Sequence, residues 1–300
     1  MRCHRTNHPS LSTSILEGTL VNSRAATFSP TINPQDFRID PGASVDLAQM
    51  EARQAGSFGS KKEGERELAH YRRRIIALQE RLWAEHKQSL LVILQATDTG
   101  GKDGTIRHVF GGVNPQGVIV TSFKQPSPEE LDHDYLWRIH QHTPAKGEIA
   151  IFNRSQYEDV LVVRVHDLVP KAVWEKRYRQ INDFEERLAE TGTAIVKLFL
   201  HISREEQKER LQARLDDPEK RWKFNPGDLA DRAMWERFQH AYRDMLERCS
   251  TPFAPWYVIP ADRKWYRNVA VAAIVADALE RMDPQFPEEV PGLDEIVIPD

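Results

Sequence analysis

Eight residues, Ser89-Leu90-Leu91-Val92-Ile93-Leu94-Gln95-Ala96, are apolar almost without interruption, and they run directly into Thr97-Asp98-Thr99-Gly100-Gly101-Lys102-Asp103-Gly104-Thr105. A continuous apolar run of this kind suits a strand covered on both faces, as in a parallel sheet. The three glycines that follow let backbone amides turn inward without side-chain obstruction. Residues 105–110 can then start a helix whose N-terminal amides and dipole favour an anion. With Lys102 as a mobile charge, the strand, glycine turn and helix have the layout of a phosphate-binding loop.

The match to G-x-x-x-x-G-K-[ST] is not standard. Ala96 stands where the first glycine belongs, Asp103 follows the lysine in place of a hydroxyl, and Thr105 comes two residues later. Asp98 lies inside the loop, where a carboxylate repels phosphate unless a metal bridges the two, so it is a natural Mg2+ ligand. Taken alone, the segment also fits a glycine-rich strand–helix turn with surface charges.

Further short apolar runs at 117–123, 148–152, 194–202 and 256–259 read as additional strands of the same kind. Helical spacing lies between most of them. Leu68, Tyr71, Ile75, Leu78 and Leu82 form one face of a helix over 61–87, Val173, Ile181, Phe184 and Leu188 mark another, and 269–279 a last one. Ser127–Glu130 and Ser203–Glu206 each carry the S-x-x-E capping pattern that opens a helix. Alternating strands and helices imply an α/β fold, a doubly wound parallel sheet with helices on both faces.

The ends read differently. Between Met1 and Asn33 there are five Ser, five Thr, three Arg and a single acid, Glu17, with no apolar core for a signal peptide. Residues 1–35 read as a disordered extension, and their Arg/Ser bias alone is also that of an organelle transit peptide. Residues 286–300, in a stretch punctuated by Pro284, Pro287, Pro291 and Pro299, read as an extended tail. No stretch approaches the roughly 20 apolar residues of a membrane span. Cys3 and Cys249 alone cannot make a disulfide framework or a thiolate zinc site, which fits a reducing, cytoplasmic setting. A net charge of −4 gives no bulk attraction for nucleic acid, so any anion site must come from local clustering.

Two further segments supply such clustering. Asn153-Arg154-Ser155-Gln156-Tyr157-Glu158 follows the run at 148–152, and ligands of doubly wound sheets collect at the carboxyl ends of strands. There Arg154 can neutralise a transferring phosphoryl group. Glu158 or Asp159 can hold metal or orient a nucleophile through water, or simply favour a helix dipole. Residues 210–224 crowd five bases, among them Arg210, Arg214 and Lys223, around Pro218 with Trp222 and Phe224. A mobile Arg-rich lid over phosphates has this composition, with an aromatic free to stack on a base. A solvated charged helix has it too.

Taken in order, the motifs resemble the family-2 polyphosphate kinases over residues 36–285. The resemblance rests on Asp98-Thr99-Gly100-Gly101-Lys102-Asp103-Gly104, Thr121-Ser122-Phe123-Lys124-Gln125-Pro126, Asn153-Arg154-Ser155-Gln156-Tyr157-Glu158-Asp159, Trp222-Lys223-Phe224-Asn225-Pro226-Gly227-Asp228-Leu229 and Ala261-Asp262-Arg263-Lys264. Most members carry Asp where Asn153 stands. This chain looks like the branch with Asn there, which is associated with phosphorylation of both nucleoside mono- and diphosphates.

The resemblance implies a P-loop kinase domain of thymidylate-kinase-like type with a helical lid at about 208–232. The implied reaction is reversible, Mg2+-dependent transfer of the terminal phosphoryl group of polyphosphate to AMP or ADP, with GMP and GDP as further acceptors. The catalytic set is then Asp98, Lys102, Arg154, Arg210 and Arg214. Thr99, Gly100, Gly101, Asp103, Gly104, Thr105, Lys124, Tyr157, Trp222, Lys223 and Phe224 bind nucleotide or polyphosphate, and the metal falls to Asp98 with Asn153 or Glu158. A homodimer or tetramer is implied. No histidine nucleophile is needed, and His108, His133, His140 and His142 are expected to be structural. Two other readings stay open: an ATP-using nucleotide kinase of the same fold, and a non-catalytic nucleotide- or polyphosphate-binding regulator, which only Asn153 favours.

Overall fold

Ile32 is buried, and from there the chain builds one compact unit in a computed structural model that describes residues 32–299. Most of the expected N-terminal extension, residues 1–31, therefore lies outside the described residues. Helix α1 (Lys61–Glu85) starts at Ser60, whose side chain accepts from Glu63 N, and stops at His86 in the left-handed region. Its buried face holds Leu68, Tyr71, Ile75 and Leu82, in line with the spacing. Strand β1 (Ser89–Ala96) is buried at every position, and the glycine turn connects it to α2 (Lys102–Val109). Strand β2 (Val118–Ser122) comes next, then α3 (Pro128–Asp132), opened by a complete Ser127–Glu130 capping box, and α4 (Trp137–His140).

The second half repeats the alternation. Strand β3 (Ile149–Asn153) leads through a 3-10 turn at Gln156–Asp159 to α5 (Val162–Val165) and α6 (Lys171–Glu190). Strand β4 (Thr193–His201) precedes α7 (Arg204–Asp216), α8 (Gly227–Ala233) and α9 (Trp235–Cys249). Strand β5 (Trp256–Pro260) and α10 (Lys264–Met282) complete the sheet and its cover. All strands are parallel, in the order β2-β3-β1-β4-β5. Leu94 of β1 pairs with Asn153 of β3 on one side and Leu198 of β4 on the other, so the loops leaving these strands emerge together. That is where strand order reverses, the ordinary ligand position of a doubly wound sheet. Among the described residues no helix is long and apolar enough to cross a membrane.

Three local readings change. The run at 117–123 suggested a strand covered on both faces, but β2 lies at the sheet edge and leaves Ile119 42% and Val120 50% exposed. Val173 faces outward on α6, and Trp174 takes the inward position instead. Ser203 caps Glu206 N, but the Glu206 carboxylate turns to Arg210 rather than back to the cap, so only half of that capping box forms. The backbone N–H of Ser203 donates to Asp262 instead.

The core is not wholly apolar. Lys197 of β4 is fully buried, and its Nζ donates to Glu185 Oε2 at 2.6 Å, Tyr157 Oη at 2.8 Å and the Cys249 carbonyl at 2.6 Å. Tyr157 Oη in turn donates to Glu185 Oε1 at 2.7 Å. Buried charge is tolerable only when paired and hydrogen-bonded, and this network meets both conditions. It fastens the turn after β3 to β4 and α6.

Candidate active site

The glycine turn folds tightly because its atoms leave room for nothing larger. Gly100 N donates to the Thr97 carbonyl at 3.0 Å, and a Cβ on Gly100 would lie 2.4 Å from the Cβ of Ala96. Gly101 has φ 97° and caps α2, while Thr99 sits at φ 62°, a left-handed value that costs a non-glycine residue roughly 1–3 kcal/mol. Backbone strain of this kind gathers at ligand clamps. Lys102 opens α2 and donates to the Ala96 carbonyl at 3.2 Å. Burial, reinforced by Arg154, lowers its pKa to about 8, against the pull of Asp98, Glu158 and Asp103.

Arg154 joins the two loops. Its backbone N donates to the Leu94 carbonyl at 3.1 Å and holds φ 63°. Its guanidinium donates from Nη2 to Asp98 Oδ1 at 2.8 Å and from Nη1 to Glu158 Oε2 at 3.0 Å. Glu158, outweighing the opposing effect of burial, raises its pKa further, and Asp98 adds to this. Asn153, one residue earlier, donates from Nδ2 to Asp103 Oδ1 at 2.6 Å, which leaves its amide oxygen as the free donor atom for a cation. Asp159, the alternative acid of this turn, is instead tied to Arg177 at 2.7 Å, and burial raises its pKa to about 6.

The segment expected to form a lid consists of α7, a 3-10 turn at Arg221–Lys223 and α8. Arg214 donates from Nη1 to the Lys223 carbonyl at 3.1 Å and to Asp228 Oδ2 at 3.2 Å. Trp222 is 78% exposed, with the Lys223 ammonium 5.0 Å from its ring centre, and Phe224 is half-buried. Lys124 is exposed, and its carbonyl accepts from Arg138. Gly104 faces the guanidinium of Arg267.

Three expected site residues have their polar groups engaged within the protein. Tyr157 is fully buried, and its hydroxyl is engaged with Glu185 and Lys197, so it supports the turn from below. Thr105 is likewise buried and its hydroxyl donates back to the Gly101 carbonyl at 3.1 Å, closing the first turn of α2. Arg210 does not point into the cleft. Its guanidinium lies beneath the glycine turn, donating to the carbonyls of Thr99, Gly100, Ala261 and Asp262 and to Glu206.

Other residues reach the site without any sequence signal. Asp231 of α8 lines the same small cleft as Asp98, Arg154 and Glu158, with His166 Nε2 2.8 Å from its Oδ1. Burial and the nearby Asp98 raise its pKa. Gln207 and Tyr242 line the cleft too. Gln207 lies on a strongly polar helix and Tyr242 on an ordinary amphipathic one, so only the fold brings them here.

The donor set suits a hard divalent cation. Mg2+ is usually held by one or two carboxylates plus substrate phosphate oxygens, not by a closed protein cage. Asp98 and Glu158 each give Arg154 one oxygen and keep another. Among the described residues no three His, Cys, Asp or Glu side chains form a cage.

The family model described as Polyphosphate kinase 2 (PPK2) matches residues 59–287. The chain is 53% identical to the AMP/ADP-polyphosphate phosphotransferase of Meiothermus ruber, over 87% of this chain and 98% of that protein. It is 42% identical to the ADP-polyphosphate phosphotransferase of Rhodopseudomonas palustris, covering 87% and 94%. The crystal structure of Polyphosphate Kinase 2 from Arthrobacter aurescens TC1 superposes with a TM-score of 0.83 at 46% identity, covering 87% of this chain and 94% of that one. The parallel sheet and its strand-end cleft are thus those of a phosphotransferase lineage, and this chain belongs to the polyphosphate kinase 2 family.

Proposed function

We propose that this protein transfers the terminal phosphoryl group of inorganic polyphosphate reversibly to AMP and ADP, with GMP and GDP as further acceptors. The observation that carries the reading is the convergence of the glycine turn, Lys102 and the Asp98–Arg154–Glu158 bridge at the ends of β1 and β3. Two polyanions meeting end to end repel one another strongly unless cations lie between them. Lys102 and Arg154 are placed to do this, and the turn presents amides to one phosphate chain. Arg214 and Lys223 bring further charge when the lid closes, and Trp222 offers a face for the base. Positioning with electrostatics then supplies most of the catalysis, and no covalent enzyme intermediate is required.

Bound at Asp98 with Glu158 or the Asn153 oxygen, Mg2+ would neutralise phosphate charge. The working unit spans 36–285, acts in the cytoplasm and assembles as a homodimer or tetramer, with no nucleic-acid or membrane partner. The test is purified protein with long-chain polyphosphate, Mg2+ and AMP, ADP, GMP or GDP. Nucleoside di- or triphosphate should form, and Lys102→Ala and Asp98→Asn should each abolish it. Turnover with ATP and a small acceptor, without response to polyphosphate, would instead identify an ATP-using kinase. Tight binding of both ligands with no transfer would identify a regulator.

A further inference from the structure

Beneath the glycine turn lies a charged residue that belongs to none of the phosphate-site motifs. Arg267 of α10 is 2% exposed. Its Nη1 donates to the Gly100 carbonyl at 3.4 Å, and its Nε and Nη2 donate to Asn268 Oδ1 at 3.1 and 2.8 Å. A Cβ on Gly101 would lie 1.9 Å from its Nη1, and one on Gly104 would lie 3.4 Å from its Nη2. Arg210 reaches the same turn, donating from Nη1 to the Thr99 carbonyl at 3.0 Å and to the Gly100 carbonyl at 3.2 Å.

The two guanidinium groups differ in compensation. Arg210 has the Glu206 carboxylate at 2.7 Å, whereas among the described residues no carboxylate within 4.0 Å pairs with Arg267. Burying an unpaired cation is unfavourable. Burial and then the neighbouring Arg210 lower its pKa to about 9. A neutral donor would serve if the only task were to hold one carbonyl, so the charge itself calls for an explanation. Gly100 N serves the Thr97 carbonyl, but carbonyls drawn toward a guanidinium leave the other amides of the turn free to face the other way, where an anion is cradled.

We propose that Arg267 is a positioning residue which, together with Arg210, draws the carbonyls of Thr99 and Gly100 inward and supplies through that turn the counter-charge for bound phosphate. This rests on the reading that the turn holds phosphate. The two effects have opposite signs: the charge burdens the free protein and strengthens the phosphate complex. A purely structural arginine would affect the free protein and the phosphate complex alike.

The test uses the full chain, with inorganic tripolyphosphate as the probe, calorimetric titration for affinity, and thermal melting with and without probe. Arg267→Met is expected to weaken binding at least tenfold and to shrink the probe-induced rise in Tm, while melting no lower than the wild type without probe. Arg267→Lys, which keeps the charge, is expected to bind within threefold of the wild type, and it decides the matter if Arg267→Met does not fold. Arg267→Met binding as the wild type does, with a lowered Tm, would overturn the inference, as would a larger loss in Arg267→Lys. A wild-type protein that fails to bind tripolyphosphate overturns the phosphate reading of the turn, and the inference falls with it.

Discussion

Arg154 and Asp98 lie 56 positions apart in sequence, yet a 2.8 Å hydrogen-bonded ion pair joins the loop after β3 to the loop after β1. The second arm of the same guanidinium holds Glu158 at 3.0 Å, so one side chain sets the spacing of two carboxylates across the cleft. Its backbone at φ 63° is strained for a residue with a Cβ.

Arg154→Ala should therefore reduce turnover by about 10²–10³-fold, the usual effect of removing one preorganised charge-stabilising donor. Steady-state rates with polyphosphate and ADP measure this. A Arg154→Gly variant should lose activity to the same degree while relaxing the left-handed backbone, so it should melt slightly above Arg154→Ala.

Lys102 gives a pH signature. Its pKa of about 8 means the cation is lost as pH rises through that value, so kcat/KM should fall on an alkaline limb near pH 8. Stability should move the other way. In the unfolded chain the lysine stays protonated to roughly pH 10.4. Between these two values the unfolded state binds more protons, and the unfolding free energy contributed by this group rises with pH. Activity profiles and urea melts from pH 7 to 10, compared between the wild type and Lys102→Met, would separate the two trends.

Tyr157→Phe tests whether that residue acts from the core. Removing the hydroxyl leaves Glu185 and Lys197 each short of one buried partner and should cost about 1–3 kcal/mol by denaturant unfolding. The KM for AMP or ADP should stay within about twofold, since a change that small corresponds to well under 1 kcal/mol of binding. A large rise in KM with unchanged stability would return Tyr157 to the binding surface.

Gly101→Ala combines two penalties. Its φ of 97° disfavours any side chain, and the new methyl would meet Arg267 Nη1 at 1.9 Å. Stability should fall by about 1–3 kcal/mol, and activity should fall further, because the Arg267 guanidinium must withdraw from the turn to admit the methyl.

Arg214→Ala should separate lid function from folding. Its contacts with Asp228 and the Lys223 carbonyl are partly solvated, so the stability loss should stay under about 1 kcal/mol. Turnover should fall more than that figure would suggest, because the missing charge acts on the transition state. A large drop in Tm with normal specific activity would make Arg214 a structural residue.

The sequence made the layered architecture legible because strands buried on both faces leave nearly continuous apolar runs, as at β1 and, interrupted by Lys197, at β4. It misjudged β2, since an edge strand and a central one share composition when one neighbour is missing. The glycine turn and Arg154 were readable for a local reason: each sits immediately after a strand, where the fold class fixes the ligand position. The inward orientation of Tyr157 and Arg210 was not readable, because a motif records proximity to a site without recording which side of it a residue occupies. Asp231 gave no local sign beyond lying in the expected lid segment, and Arg267 gave none at all. One is an acid on a short polar helix and the other a lone cation in an apolar one, and each gains its meaning from a neighbour far away in sequence.

Arg210 also limits how the segment it belongs to can travel. By gripping the carbonyls of Thr99, Gly100, Ala261 and Asp262, it fastens the first half of α7 to the loops after β1 and β5. Any swing must pivot beyond that anchor, toward the break at Asp217 and Pro218. For the lid closure proposed above, the travelling part would be a short distal flap on a fixed stalk, and substitutions in the stalk should alter the resting frame while those in the flap alter its reach.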